Sequence, residues 1–251
     1  MDRSYEEKRR GLEEDYWLFK ARRELIYSLV TKDGVAPDTK VLDVGCGGGY
    51  LIDFFQGRGF KKIFGLDISR RSIETCKQRG LKKVWMDDGG TIAAPDGSFD
   101  VILAVDVLEH IADDSMALKE WGRVLKNGGS IFLTIPAFSF LWSRHDEICH
   151  HFRRYSKATV LKILNKSGFV VEEIGFWNFM LFFPASILRL SRFFAIDRGD
   201  RKGDQLYKVN SIINTILLSL LRFENSLGRM VHYPVGLSLF AVVRKSDRAE
   251  P

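Results

Sequence analysis

The feature that most limits what this chain can fold into is a short apolar run, Lys40-Val41-Leu42-Asp43-Val44-Gly45, that passes directly into Cys46-Gly47-Gly48-Gly49. A buried strand that ends in glycines and opens a helix at Leu51 is the start of a β–α unit, and the unit then recurs. Lys62 to Asp67 reads as a second strand and Arg70 to Arg79 as a second helix, stopped by Gly80. Lys83 to Met86 is a third strand, and Phe99 to Val105 a fourth, apolar enough to be central. A helix over Ser115 to Leu125 ends at Asn127-Gly128-Gly129, and Ser130 to Ile135 is a fifth strand, stopped by Pro136. Ser156 caps a helix that runs to Ser167, Phe169 to Ile174 is another strand, and Leu237 to Val243 is the last. Alternation of this kind predicts an α/β, Rossmann-like fold with a mostly parallel sheet covered by helices on both faces. The expected organisation is one domain: a helical cap over 1–36, a core over 37–175, an apolar helical insertion over 176–233, and a last strand with its tail over 234–251.

The 251 residues carry a net charge of +6, spread in short clusters rather than massed on one segment. That balance suits an anionic small molecule or lipid surface as readily as plain solvation, and gives no sustained basic patch for nucleic acid. Three widely spaced cysteines argue against a disulfide framework and a structural zinc site. The charged N-terminus lacks the apolar core of a signal peptide, and no run of about 18 apolar residues is long enough to span a bilayer. A cytoplasmic location is the expectation.

Chemistry concentrates at the ends of the first strands. Glycines permit positive φ and close approach of a ligand to the backbone, and a helix N-terminus offers unpaired N–H groups. Asp67 ends the second strand, where a carboxylate can accept both hydroxyls of a ribose. Asp87 and Asp88 follow the third, within reach of an adenine amino group. An adenosine could belong to NAD or to S-adenosylmethionine. Tyr50 stands where the dinucleotide fingerprint needs its last glycine. Asp43 would repel a pyrophosphate but suits the ammonium of a methionine, which favours the sulfonium cofactor.

Four strings, VLDVGCGGGY (41–50), GLDIS (65–69), PDGSFDVILAVDVLEHI (95–111) and RVLKNGGSIFLTIPA (123–137), resemble the class I S-adenosylmethionine-dependent methyltransferases. More narrowly they resemble the type 11 group, which includes ubiquinone and menaquinone biosynthesis methyltransferases. The resemblance implies a seven-stranded sheet in the order 3-2-1-4-5-7-6 with strand 7 antiparallel. It implies that Asp43, Gly45, Cys46 and Gly47 hold the methionine part and Asp67 the ribose. Ile68 would pack on the adenine, Asp87 or Asp88 would face its edge, and Ala104 and Val105 would lie under the cofactor. Asn127 departs from the usual proline, which concerns only a turn.

On the acceptor side, methyl transfer to oxygen or nitrogen can need a base titrating near neutrality, which points to histidine. His110 follows the fourth strand, and His145 with its neighbour Asp146 falls in the loop after the fifth. These three are the catalytic candidates. His145, His150 and His151 also suggest a metal trio, but one short cluster without a further arm leads us to expect no metal. His151, Arg154 and Tyr155 are candidates for binding an anionic acceptor, and Tyr16, Trp17, Phe19 and Arg22 for an aromatic lid. The insertion begins with an apolar stretch from Phe176 to Ile196. Val209, Ile212, Ile213, Ile216, Leu217, Leu220 and Leu221 then follow helical spacing. Two helices packed on each other as a cap, a lipophilic pocket, a homodimer face and a peripheral membrane contact all stay open. The expected partner is a small-molecule acceptor, on oxygen, nitrogen or carbon. The rival readings are an NAD-dependent oxidoreductase and a non-catalytic cofactor-binding protein on the same fold.

Overall fold

The computed structural model describes residues 8–194 and 208–246, with no account of side chains 190–194. The expectations for the first residues of the cap and for the middle of the insertion, including Ile196, lie outside the described residues. A helix α1 (Trp17–Lys32) precedes β1 (Val41–Val44), α2 (Tyr50–Gln56), β2 (Ile63–Asp67), α3 (Arg70–Gln78), β3 (Val84–Met86) and β4 (Phe99–Val105). There follow α4 (Asp114–Val124), β5 (Leu125–Pro136), α5 (Arg144–Ile148), α6 (Lys157–Lys166), β6 (Phe169–Trp177), α7 (Phe182–Phe194), α8 (Ser211–Leu227) and β7 (Ser238–Lys245). The sheet runs β3-β2-β1-β4-β5-β7-β6, and β7 is antiparallel to both of its neighbours. This is the expected Rossmann-like order.

β1 is buried on both faces because helices cover both, which is why Val41 to Val44 is apolar apart from Asp43 rather than alternating. One apolar layer gathers Trp121, Ile131, Leu133 and Leu164 beneath α4 and α6. The other gathers Ile26, Phe55, Phe132 and Trp177 beneath α1, α2 and α8. Ser69, Asp113 and Ser156 cap α3, α4 and α6 through their side chains, as short polar residues do at helix starts.

Several boundaries differ from expectation. The glycines at 127–129 do not separate helix from strand: β5 begins at Leu125, and its pairing with β4 slips between Phe99 and Val101 to absorb them. β6 continues to Trp177, because Gly175 to Trp177 pair with β7 and Trp177 is buried. His145 and Asp146 are on the short helix α5 rather than in an open loop, with Ser143 and Asp146 forming a reciprocal capping box. α8 lies along α1 rather than forming a cap with α7. Asn214 accepts from the Trp17 N–H at 3.0 Å, Asn225 donates to the Ala21 carbonyl at 3.0 Å, and Arg222 pairs with Glu24 at 2.6 Å. The face turned inward therefore runs through Asn214, Leu218, Leu221 and Asn225, while Ile212, Ile213 and Ile216 stay exposed. Polar residues direct this contact, and of the apolar stripe read from the sequence Leu221 turns inward and Leu217 lines a cavity. Among the described residues no helix is long and apolar enough to cross a membrane.

Candidate functional site

The ends of β1, β2, β3 and β4 open on one side of the sheet, where a parallel order reverses and ligands bind. Two adjoining cavities lie there, of about 550 Å³ and about 500 Å³. The first is lined by Gly45, Gly47, Asp67, Ile68, Asp87 and Asp88. Gly45, Gly47 and Gly49 all take positive φ, 70°, 53° and 79°. A Cβ on Gly45 would strike the Val107 side chain, so this loop tolerates glycine alone on both counts.

Asp67 ends β2 with its two oxygens accepting from the N–H groups of Gly47 (2.9 Å) and Ser69 (2.8 Å). It thereby braces the glycine loop against β2. Burial raises its affinity for a proton, and the two backbone hydrogen bonds and Arg9 offset part of that. Asp43 is 2% exposed, and its Oδ2 has no hydrogen-bond partner. Burial, reinforced by the neighbouring charges of Asp67 and Glu13, pushes this carboxyl well above the usual carboxylate range. A buried carboxyl oxygen without a donor beside a glycine loop is suited to an incoming ammonium group. Ile68 stands beside Asp67, 73% exposed, as an apolar platform at the rim. Both oxygens of Asp87 hold their own loop, accepting from Gly89 (3.1 Å) and Ala93 (3.0 Å). Asp88 uses Oδ1 for Gly90 and Thr91. Cys46 and Val105 line a small recess beside the loop together with Asp43, whereas Ala104 is buried beneath and reaches none of these cavities.

The second cavity holds Tyr16, Trp17, Phe19, Arg22, His110, His145, His151 and Arg154 on its wall, with Leu181, Pro184, Ala185, Leu188 and Leu217 from the insertion. The structure thus brings together the aromatic string with Arg22, three histidines and Arg154 from separated segments of the chain. Arg9, Asp106, His110 and Cys149 line both cavities. Asp106 sits at φ 54° at the end of β4, accepts from Thr134 Oγ1 at 2.7 Å, and pairs with Arg22. Burial opposes its charge, but Arg22 and the Thr134 hydroxyl prevail and hold it below its ordinary value.

Asp146 does not reach the cavity. It is wholly buried, accepts from Arg154 Nε at 2.8 Å, and lies 2.9 Å from His151 Nδ1. Burial works against its ionisation, yet the His151 and Arg154 bonds outweigh that and leave it held well below the usual range. It positions His151 and Arg154. It is not the partner of His145, whose Nε2 lies 3.6 Å from Cys149 Sγ. Burial lowers His110 to about 3 and His145 to about 4, so both rings are neutral at pH 7.

Tyr155 is corrected from a binding residue to a core residue. It is 1% exposed, bridges to Ala137, and its hydroxyl donates to the Leu108 carbonyl and meets Asp114. Arg153 donates to the Ile111 carbonyl at 2.9 Å and pairs with Asp114, so it holds the turn after β4.

Three contributors escaped the sequence reading. Glu13 reaches from the N-terminal segment to accept from the Gly48 N–H at 3.2 Å, and it pairs with Arg9. Arg189 lines the second cavity from α7. Glu109 is buried beside His110 with neither carboxyl oxygen hydrogen-bonded. Only Glu109 left a trace in the string, as a charged residue inside the otherwise apolar Val107-Leu108-Glu109-His110-Ile111.

Residues 42–133 match the family described as "Methyltransferase domain". A ubiquinone biosynthesis O-methyltransferase of Idiomarina loihiensis is 35% identical over 101 residues, 38% of this chain and 41% of that protein. One of Thiobacillus denitrificans is 32% identical over 154 residues, 54% of this chain and 66% of that protein. The first curated relatives are matched over 41–66% of their own length. The crystal structure of an S-adenosylmethionine-dependent methyltransferase from Archaeoglobus fulgidus superposes with a TM-score of 0.56 at 18% identity, covering 89% of this chain and 94% of that one. At that identity the superposition speaks for the fold.

Proposed function

We infer that this chain, which belongs to the class I S-adenosylmethionine-dependent methyltransferases, transfers the methyl group of S-adenosylmethionine to a hydroxyl oxygen of a small acceptor with an apolar body. The observation that carries this reading is the shared wall: His110 borders both the glycine-loop cavity and the aromatic one. A methyl donor in the first cavity and a nucleophile in the second would meet there.

The cofactor supplies a methyl on a positively charged sulfur, which leaves as a neutral thioether. The protein's task is therefore alignment, worth roughly 7–11 kcal/mol when reacting atoms are held in line. Asp43 takes the methionine ammonium, which is the donor its Oδ2 otherwise lacks. Asp67 takes the ribose hydroxyls, Ile68 and Asp88 the adenine. Tyr16, Trp17 and Phe19 close over the acceptor and keep water out. Arg189 adds positive charge to the same wall, which suits an acidic hydroxyl that reacts as its anion. His145 lines the same wall as the base for that proton, although burial lowers it to about 4, below the near-neutral value that serves a base best. A phenol or quinol ring is the acceptor class this wall fits, in keeping with relatives named for ubiquinone biosynthesis. Affinity for NAD without affinity for S-adenosylhomocysteine would restore the oxidoreductase reading, and cofactor binding with no transfer to any acceptor the non-catalytic one.

Radiolabelled S-adenosylmethionine incubated with a panel of phenols and quinols of increasing alkyl length tests it. Label is expected in the organic phase, rising with the apolar tail. Transfer to amines and none to hydroxyls would overturn the choice of acceptor.

A further inference from the structure

The turn after β4 presents Glu109 and His110, and the segment after α5 brings His151 against them. One ligand atom from each, a carboxyl oxygen and two ring nitrogens, lie within 4.8 Å of one another. The His110 and His151 rings meet edge to face at 4.6 Å. Metal–ligand bonds of about 2.0–2.2 Å put ligand atoms roughly 3–4.4 Å apart, so the cluster needs only a small contraction to close on an ion.

Two further observations point to a cation. Glu109 is 1% exposed, yet neither of its oxygens has a hydrogen-bond partner. Burial favours the protonated form of such a carboxyl, and its ionised form needs something positive beside it. The nearby cations are engaged elsewhere: Arg22 with Asp106, Arg154 with Asp146, Arg9 with Glu13. The second observation is the support behind His151. Its Nδ1 lies 2.9 Å from Asp146, which leaves Nε2 to ligate. Asp146 is in turn fixed by Arg154 and by the Ser143 N–H at 2.8 Å. A carboxylate behind a histidine is the arrangement that orients metal-ligating imidazoles and raises their basicity.

We propose that Glu109, His110 and His151 hold a divalent transition-metal cation whose remaining positions face the acceptor cavity. Two imidazoles and one carboxylate suit zinc or cobalt, and three protein ligands with an open position are the pattern of a catalytic rather than a structural ion. All three ligands line the aromatic cavity, and His110 also borders the cofactor side. A hydroxyl of the acceptor would bind the cation there, and its proton would leave at a lower pH than in water. The trio differs from the His145, His150 and His151 set weighed in the sequence, because folding brings Glu109 and His110 to His151. Only the role of the ion rests on the methyltransferase reading; its binding does not.

The test uses the full chain, stripped with chelator and dialysed, without any methyl donor. Titration with zinc(II) by calorimetry, and with cobalt(II) followed by its visible absorption, should each saturate at one equivalent. His110→Ala, His151→Ala and the shape-preserving Glu109→Gln should each weaken binding at least tenfold, while His150→Ala should not. Near-ultraviolet circular dichroism and S-adenosylhomocysteine titration check that each variant is folded; where His151→Ala is not, His151→Gln replaces it. No stoichiometric binding by the native chain, or binding unchanged in all three folded variants, would overturn the proposal. Loss of S-adenosylhomocysteine binding with metal binding intact would strike the methyltransferase reading instead.

Discussion

Asp43→Asn should stabilise the free protein while weakening its hold on the methyl donor. The carboxyl is buried, and one oxygen has no donor, so folding pushes its pKa well above the ordinary range. The sign follows from linkage. An acid whose pKa is raised in the folded state costs nothing below the unfolded value near 3.9, and costs more as pH rises, because the unfolded chain releases its proton first. The penalty grows by about 1.36 kcal/mol for each unit by which the folded state raises the pKa. Asparagine has almost the same shape and no such penalty. For a chain of this size each kcal/mol of penalty removed raises the melting temperature by about 2–4 °C, so the variant should melt higher than the parent near neutral pH. The gain should shrink towards zero as pH falls to about 4, the unfolded value. Calorimetric melting at several pH values reads this directly, and titration with S-adenosylmethionine should show affinity down at least tenfold. A variant that melts lower than the parent near neutrality, or a difference that does not change with pH, would refute the reasoning about Asp43.

Asp67→Ala should weaken S-adenosylmethionine binding at least tenfold by calorimetry, since it removes both the sugar-binding carboxylate and the brace on Gly47; unchanged affinity would remove Asp67 from the site. Asp146→Ala leaves Arg154, itself 4% exposed at the side chain, as an uncompensated buried charge. Breaking such a pair costs about 3–5 kcal/mol, so urea unfolding in the presence of chelator should report that loss, and one below about 1 kcal/mol would show the pair to be solvated. His145→Ala should leave S-adenosylhomocysteine affinity intact and lower turnover by roughly 10²–10⁴-fold, as expected for loss of a general base; full activity would reject the role.

Much of the fold was readable because its determinants are local. Strands buried on both faces announce themselves as apolar runs, and serine, aspartate and glycine mark where helices start and stop. The gathering of Asp43, Gly45, Gly47 and Asp67 at one end of the sheet was readable for the same reason, because they occupy fixed places relative to two strand ends. The acceptor side was readable in composition but not in pairing. His145 and Asp146 are neighbours in sequence, yet successive residues of a helix point in different directions, and Asp146 turns inward to His151 and Arg154 instead. Tyr155 belongs to the core because β5 captures it through Ala137. The packing of α8 on α1 was not legible because Asn214 and Asn225, which anchor it, are polar and add nothing to the apolar spacing.

The turn after β4 concentrates the consequences of this topology. β4 lies between β1, which carries the glycine loop, and β5, which leads into the histidine segment. Whatever follows Val105 must therefore border both. Asp106 adopts positive φ there, held by Thr134 of β5 and by Arg22 of α1. That strained residue redirects the chain so that Glu109 is buried while His110 borders both cavities. The backbone carbonyl of Glu109 then accepts from the Phe152 N–H at 2.8 Å, which ties His151 to the same turn. On the proposed reading, sheet order brings donor and acceptor together, and groups that this turn and the segment after α5 deliver select the acceptor. Divergence among chains of this fold should therefore fall on His145 and His151 rather than on Asp43 or Asp67. Exchanging the turn at residues 106–111 for that of a relative with another acceptor should change which nucleophile is methylated while leaving S-adenosylhomocysteine affinity within about threefold, a difference of about 0.7 kcal/mol. Loss of cofactor affinity with unaltered acceptor preference would reverse that division of labour.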